Sequence, residues 1–384
     1  MKTKGWLFVL PWSPEAIGGV SVVVDELCKA INRDNQYKPY ILVEDWSAKR
    51  PVITEKNDYI EIKYRLRSYV PEFGRKKLSF IFNYAYTFFT LYKIVKKYNI
   101  QIINPHYPSL SIMNLILLKL LTKKIHFILS FHGGDLSDII NKKYEFKVWH
   151  FIFQHVDRII SCSRGLSERL KTVFPEVSAK SEYIHNGISS HFFVLGYERV
   201  ESINYKLPSK FILSVGTFEY KKGQDILIKA FAVIAENFQD ISLVLVGRTA
   251  DELVNYKQLT KKLLLKDRIC FYENIPSEEM LYFYSKAALY VSSSREEPFG
   301  MVMLEAAALH VPVIASKTIG GIEIIEHNID GKLVKINDII ELTDQITELL
   351  NDNQQSEFIA SNLYKKAKYQ FTWDKTLTKY LPEN

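Results

Sequence analysis

The 384-residue chain has few cysteines: Cys28, Cys162 and Cys270. They are far apart, odd in number and each set in an apolar segment. No disulfide framework or zinc site fits that spacing. They read as buried thiols of a reducing compartment, and the expected location is cytoplasmic. Long hydrophobic runs are also missing. Ser111–Leu121 is apolar but broken by Lys119, and no run reaches the ~20 residues of a membrane span. The run Trp6–Leu10 is five residues long, shorter than the roughly 7–15 of a signal-peptide core. A first buried strand accounts for it better. Low-complexity segments and short tandem repeats are absent. With 47% hydrophobic and 24% charged residues, the composition is not that of a disordered chain. At this length two α/β domains are expected rather than one core.

Negative charge is scarce in one stretch. Between Glu61 and Ser130 there are twelve Lys/Arg but only two acidic residues, Glu61 and Glu72. That surplus of ten exceeds the +7 of the whole chain, so the remainder is slightly acidic. Such a balance suggests a partner with anionic groups: a phospholipid surface, a lipid diphosphate or a nucleic acid. Within it, Arg75, Lys76 and Lys77 precede Phe80, Ile81, Phe82, Tyr84, Tyr86, Phe88, Phe89 and Tyr92, and Lys93, Lys96 and Lys97 follow. Aromatics mixed with lysines suit an interfacial helix on anionic lipid. A core-packed helix with a solvated basic end fits equally well.

What is present is an alternation of short apolar runs with helical periodicity. Strands are read at Trp6–Leu10, Ile100–Ile103, Ile125–Leu129, Arg158–Cys162 and Tyr183–His185. After the first strand, Val20, Val23, Val24, Leu27 and Ile31 recur at helical spacing. The pattern restarts at Phe211–Val215 and continues through Leu243–Val246, Ile269–Phe271, Leu289–Val291, Val313–Ala315 and Lys332–Val334. Buried strands between helices imply parallel sheets covered on both faces. The expected division is a first domain over residues 1–195, a linker over 196–210 and a second domain from 211. Ligands of such sheets bind at the loops leaving the carboxyl ends of the strands.

Three loops of the second half carry chemistry. Ser214-Val-Gly-Thr-Phe-Glu-Tyr-Lys-Lys-Gly223 runs into a helix from about Gln224. Gly216 allows a tight turn, and Lys221 and Lys222 stand where a helix start already favours anions. Solvated, incidental lysines are the competing reading. Ser292-Ser-Ser-Arg-Glu-Glu-Pro-Phe-Gly-Met-Val-Met-Leu-Glu305 places Glu297 at a helix mouth and Glu305 slightly over two turns in, about 12 Å along the axis. One carboxylate could take sugar hydroxyls and the other ribose hydroxyls, with Gly300 and Met301 offering backbone N–H groups to a phosphate. Alternatively, Glu297 serves only the helix dipole. Glu305 lies in an otherwise apolar segment and needs a partner. Ser316-Lys-Thr-Ile-Gly-Gly321 adds two glycines that permit close backbone approach.

In the first half, Gly18-Gly19 opens the first helix without the GxGxxG spacing; Glu44 or Asp45 could stand in for the acid of the second strand, but a dinucleotide fingerprint is not met. His132, in Phe131-His-Gly-Gly-Asp135, is a candidate contact for a transferred sugar. His106, in Asn104-Pro-His106-Tyr-Pro, is a weaker candidate on the acceptor side.

These residues together resemble the retaining glycosyltransferases of family 4. The resemblance covers nearly the whole chain. It rests on Glu297-Pro-Phe-Gly-Met-Val-Met-Leu-Glu305 with its downstream Ala306-Ala-Ala-Leu-His-Val-Pro-Val-Ile-Ala315 and Gly320-Gly321. Gly216 through Lys222-Gly223, Gly18-Gly19, His132-Gly133, Asn186-Gly187-Ile188 and Phe371-Thr-Trp373 also match. It implies the GT-B fold: two Rossmann-like, doubly wound α/β domains facing each other across a cleft. The donor domain would run over 211–366, and 367–384 would cross back to the first domain. By the resemblance, Lys222 binds the donor diphosphate, Glu305 the ribose, and Glu297 the donor sugar with His132, Phe299, Gly300 and Met301 beside it. Gly18-Gly19 would approach the phosphates. It further implies retention of anomeric configuration without a metal or cofactor, a UDP- or GDP-sugar of hexose type, and a glycan or lipid-linked glycan acceptor. Thr217 stands where the family often has arginine, with Lys221 or Arg248 as replacements. Other readings are a sugar-nucleotide epimerase on the same fold and a basic membrane- or nucleic-acid-binding module. The latter leaves Lys222, Glu297 and Glu305 unexplained, and a nucleic-acid partner is not expected.

Overall fold

The computed structural model describes residues 3–16, 18–66, 77–122, 124–194 and 205–382. Contacts divide the chain into two units, one running to His185 and resuming at Leu377, the other spanning Asn186–Thr376.

The first unit holds a sheet of β1 (Lys4–Leu10), β2 (Tyr37–Glu44), β3 (Val52–Glu55), β4 (Ile60–Tyr64), β5 (Ile100–Pro105), β6 (His126–Phe131), β7 (Arg158–Ser161) and β8 (Ser181–Tyr183). Their order is β3-β4-β2-β1-β5-β6-β7-β8. Only β3 runs antiparallel, against β4. The strand β1 lies between β2 and β5. Trp6, Leu7, Phe8 and Leu10 are consequently buried on both faces, which is why this run reads as continuous rather than alternating. Helix Gly19–Asp34 buries Val23, Val24, Leu27 and Ile31 and stops at Asn35 in the left-handed region, φ 61°.

The second unit has β9 (Phe211–Val215), β10 (Ser242–Gly247), β11 (Ile269–Glu273), β12 (Leu289–Ser292), β13 (Val313–Ser316) and β14 (Lys332–Val334). All pair in parallel, in the order β11-β10-β9-β12-β13-β14. This is the doubly wound 3-2-1-4-5-6 arrangement. The chain reverses direction across the sheet between β9 and β12, so the loops leaving those strands flank the switch point. In the first unit the corresponding point lies between β1 and β5.

The division falls at His185 rather than 195, and the return at Leu377 rather than 367. Ile188 bridges Thr372, and Gly187 lies so close that an added Cβ would sit 2.5 Å from the Trp373 nitrogen. The Asn186-Gly-Ile segment therefore joins the second unit. Part of the expected 196–210 linker lies outside the described residues. Its end is packed on the second unit: Tyr205 Oη donates to Glu279, 2.5 Å away, and the Lys206 carbonyl accepts from Tyr272 at 2.6 Å.

Candidate active site

The loop after β9 tightens into a 3-10 turn, Tyr220–Lys222, closed by Gly223 at φ 62° before helix Gln224–Asn237. The loop after β12 lies directly on it. A Cβ on Gly223 would meet the Ser293 carbonyl at 2.1 Å, so glycine is required there both by conformation and by contact. Ser293 Oγ donates to the Gly223 carbonyl at 2.9 Å. The amides of Arg295 and Glu296 donate to the Lys221 carbonyl at 2.8 and 3.2 Å. Arg295 grips Asp225 with both Nη atoms, at 2.8 and 2.9 Å. Its guanidinium also lies 3.9 Å from the Tyr220 ring centroid. This planar fork is what Arg offers and Lys does not. Burial raises the Asp225 carboxyl, but the Arg295 hydrogen bonds and charge outweigh it and hold the group below its ordinary value.

Two loops so fixed bring Lys222 and Glu297 together, with Nζ 2.6 Å from Oε2 and side-chain exposures of 20% and 10%. The lysine stem runs over Gly216, where a Cβ would lie 3.3 Å from it. The Glu297 carbonyl accepts from the Gly320 amide at 2.8 Å. Gly320 approaches the backbone at Phe299, not open space, because its Cβ would sit 2.1 Å from the Phe299 carbonyl oxygen. The glycine pair at 320–321 thus serves internal packing. Phe299 is buried against Phe371. Gly300, at φ 95°, caps helix Met301–Ala308, whose start carries neither a side-chain cap nor an acid. The partner that Glu305 requires is Tyr284, whose Oη donates to Oε2 at 2.7 Å. Burial raises the Glu305 carboxyl and that hydrogen bond opposes the rise. Lys221 and Arg248 both turn to Glu219, at 2.5 and 3.8 Å.

In the first unit, Gly18 and Gly19 have nothing within 4 Å of an added Cβ, so no protein neighbour demands glycine there. His106 and His132 follow the adjacent strands β5 and β6, with His106 Nδ1 3.0 Å from His132 Nε2. His106 is fully buried. This corrects its expected place on the acceptor side: it stands behind His132, which is only partly covered. Sequence reasoning also missed Asp135. Its buried carboxylate accepts the amides of His132, Gly133 and Leu136 at 2.9, 2.7 and 2.8 Å. Burial, opposed by those amides, lifts it to about 6. Arg295 and Asp225 were missed too, because only the fold brings residues seventy positions apart into one fork.

Arg75 and Lys76 lie outside the described residues. Lys77 begins helix Lys77–Lys97, its side chain likewise outside the description. Farther along, Phe82, Tyr86 and Phe89 are 75%, 54% and 60% exposed. Their spacing continues to Lys93, also exposed, along one helical face. Leu91, Ile94 and Val95 face the core. No helix among the described residues is long and apolar enough to cross a membrane. No cluster of three His, Cys, Asp or Glu suited to a metal occurs among them.

Two doubly wound units, parallel except for β3, with a lysine and two glutamates at the switch point of the second, fit the GT-B fold of glycosyltransferases. Comparison with known proteins agrees. Residues 17–192 match the Glycosyltransferase Family 4 model and residues 198–366 the Glycosyl transferases group 1 model. Between them these span most of the chain, and the protein belongs to the family 4 glycosyltransferases. It is 28% identical to an uncharacterised glycosyltransferase of Methanocaldococcus jannaschii, over 94% of this chain and 92% of that one. It is 26% identical to the capsular polysaccharide biosynthesis glycosyltransferase CapM of Staphylococcus aureus, over 49% of each chain, so it spans about half the length of that relative. The structure of Anabaena HepE in complex with UDP and glucose superposes with a TM-score of 0.73 at 18% identity, covering 98% of both chains.

Proposed function

We propose that the protein is a retaining hexosyltransferase. In this reading it takes the sugar of a UDP- or GDP-sugar, without a metal, and passes it to a glycan or lipid-linked glycan during surface-polysaccharide assembly. The observation that carries the reading is the Lys222–Glu297 pair at the switch point. A departing nucleoside diphosphate needs positive charge, and a neutralised, partly covered lysine can exchange its carboxylate for a diphosphate at small cost. Glu297, so released, accepts sugar hydroxyls. The amides at Gly300 and Met301 face developing phosphate charge, and Glu305 takes a ribose hydroxyl. Such preorganised electrostatics contribute ~3–4 kcal/mol for one donor group. Cationic side chains and the helix start thereby take the part a metal plays elsewhere. His132 accepts a hydroxyl of the transferred sugar, Gly18-Gly19 passes close to the diphosphate, and the acceptor attacks from the face the diphosphate leaves.

The lipid-linked acceptor is supported by the basic stretch and by the exposed Phe82, Tyr86 and Phe89, which suit the inner face of an anionic membrane. The relative named for capsular polysaccharide biosynthesis points the same way, and the neighbour holding UDP and glucose supports the donor class. A thermal-shift panel of nucleotide sugars tests the donor, because a ligand bound only by the native state raises its stability. Product anomeric configuration tests retention. No shift with any UDP- or GDP-sugar, or an inverted product, overturns the respective claim. Co-sedimentation with vesicles tests the surface, and equal binding to neutral and anionic vesicles counts against it.

A further inference from the structure

A hydrogen-bond chain behind His132 has a direction that its two ends determine. The Ile128 carbonyl can only accept, and Asn104 Nδ2 lies 3.2 Å from it and 2.9 Å from Ser130 Oγ. The amide is therefore oriented, and Asn104 Oδ1 faces His106 Nε2 at 3.1 Å. An amide oxygen only accepts, so His106 Nε2 carries hydrogen. His106 is fully buried, and burial, with His132 beside it, holds its pKa well below the usual 6.5. The ring thus has one proton, and its Nδ1 keeps a lone pair. That lone pair lies 3.0 Å from His132 Nε2, which must donate. His132 is kept neutral as well, burial lowering it to about 4. No hydrogen bond among the described residues reaches its Nδ1.

We propose that Asn104 and His106 are positioning residues that lock His132 in its Nε2–H tautomer and leave Nδ1 as a fixed hydrogen-bond acceptor. The fold holds the chain still. His106 bridges Ser130 on the neighbouring strand. Phe8 packs edge-on to the His106 ring at 5.6 Å, and Tyr380 lies nearly parallel to it, with centroids 6.4 Å apart. Ser130 Oγ, the far partner of Asn104, meets Tyr380 Oη at 3.3 Å. A locked acceptor receives a hydrogen bond from a sugar hydroxyl without rotating or changing charge, and it adds no positive charge that would draw the diphosphate from Lys222. This use rests on the assignment of His132 to the transferred sugar; the tautomer itself does not.

The test is a long-range proton–nitrogen correlation spectrum of the whole chain labelled with 15N-histidine, at neutral pH, with His106→Gln and His132→Gln used for assignment. Both rings are expected to show a protonated Nε2 and a bare Nδ1. In Asn104→Leu, checked for a retained unfolding transition, His132 is expected to populate both tautomers, and kcat to fall several-fold with little change in donor KM. A wild-type His132 protonated on Nδ1, or on both nitrogens, overturns the proposal. So does an unchanged His132 pattern in folded Asn104→Leu. The expected tautomers together with normal transfer by His132→Gln would leave the lock standing and refute the sugar contact.

Discussion

Lys222 Nζ and Glu297 Oε2 stand 2.6 Å apart although 75 residues separate them in sequence. Two loops tied by Ser293, Arg295 and the Lys221 carbonyl impose that contact. The pair is partly covered, so it adds little to stability, and in the proposed function its role lies in the reaction.

Lys222→Ala and Glu297→Ala are each expected to lower kcat/KM by at least about 100-fold, near 3 kcal/mol of lost transition-state stabilisation. Unfolding temperatures should fall little. Steady-state kinetics beside thermal melts check this, and near-normal turnover in either variant refutes the assignment.

Arg295→Lys keeps the charge but loses the two-pronged grip on Asp225 and the stacking on Tyr220. The Lys222 and Glu297 loops should then separate more readily. A stability loss of about 1–2 kcal/mol and a raised donor KM are expected from denaturant titration and kinetics. A variant indistinguishable from the parent would show the clamp to be idle.

Gly223→Ala and Gly19→Ala form a contrasting pair. The first forces a side chain into a left-handed conformation and onto the Ser293 carbonyl, costing about 1–3 kcal/mol. The second meets nothing within 4 Å. It should leave the melt unchanged and lower transfer only if a diphosphate passes there. Unaltered transfer by Gly19→Ala removes that contact from the mechanism.

Stability should depend on pH through the paired histidines. His132 and His106 titrate below their usual 6.5 in the native protein. The unfolded chain therefore takes up these protons first as pH falls. The stabilisation is full above about 6.5 and is lost on descent toward about 4 for His132. Asp135 acts oppositely: it binds a proton near 6 when folded and near 3.8 when unfolded, so it gains stability over the same descent. His126, His310 and His327 are also lowered by burial, and Glu44 and Glu305 raised by it, so five histidines against three carboxyls predict a net fall in unfolding temperature from pH 7 to pH 5. His132→Gln should flatten it, and an equal slope in that variant would contradict the assignment.

The alternation of apolar runs with helical spacing was enough to read β9 and β14 to the residue, because both are buried along nearly all of their length, β9 running into Gly216 and β14 following Gly331. The strands β2, β3 and β4 were less legible. Edge strand β3 exposes all four of its residues and carries little hydrophobic signal. In the site, Lys222, Glu297 and Glu305 announce themselves by position after a strand or within an apolar helix. Tyr284 and Asp225 do not, since each looks like an ordinary helical residue until its distant partner is known. His106 shows the opposite limit: its strand-end position was readable, but its inward direction was not.

Tyr380 is 2% exposed, and Arg158 donates to the carbonyls of Lys379 and Tyr380 at 2.8 and 2.9 Å while its Nε holds Glu182. The amino-terminal unit is thus finished by residues that lie 222 positions beyond Arg158. Until that segment is made, its sheet carries an unfilled seat beside His106, and premature termination anywhere upstream of it should yield an amino-terminal fragment that quality-control proteases can recognise.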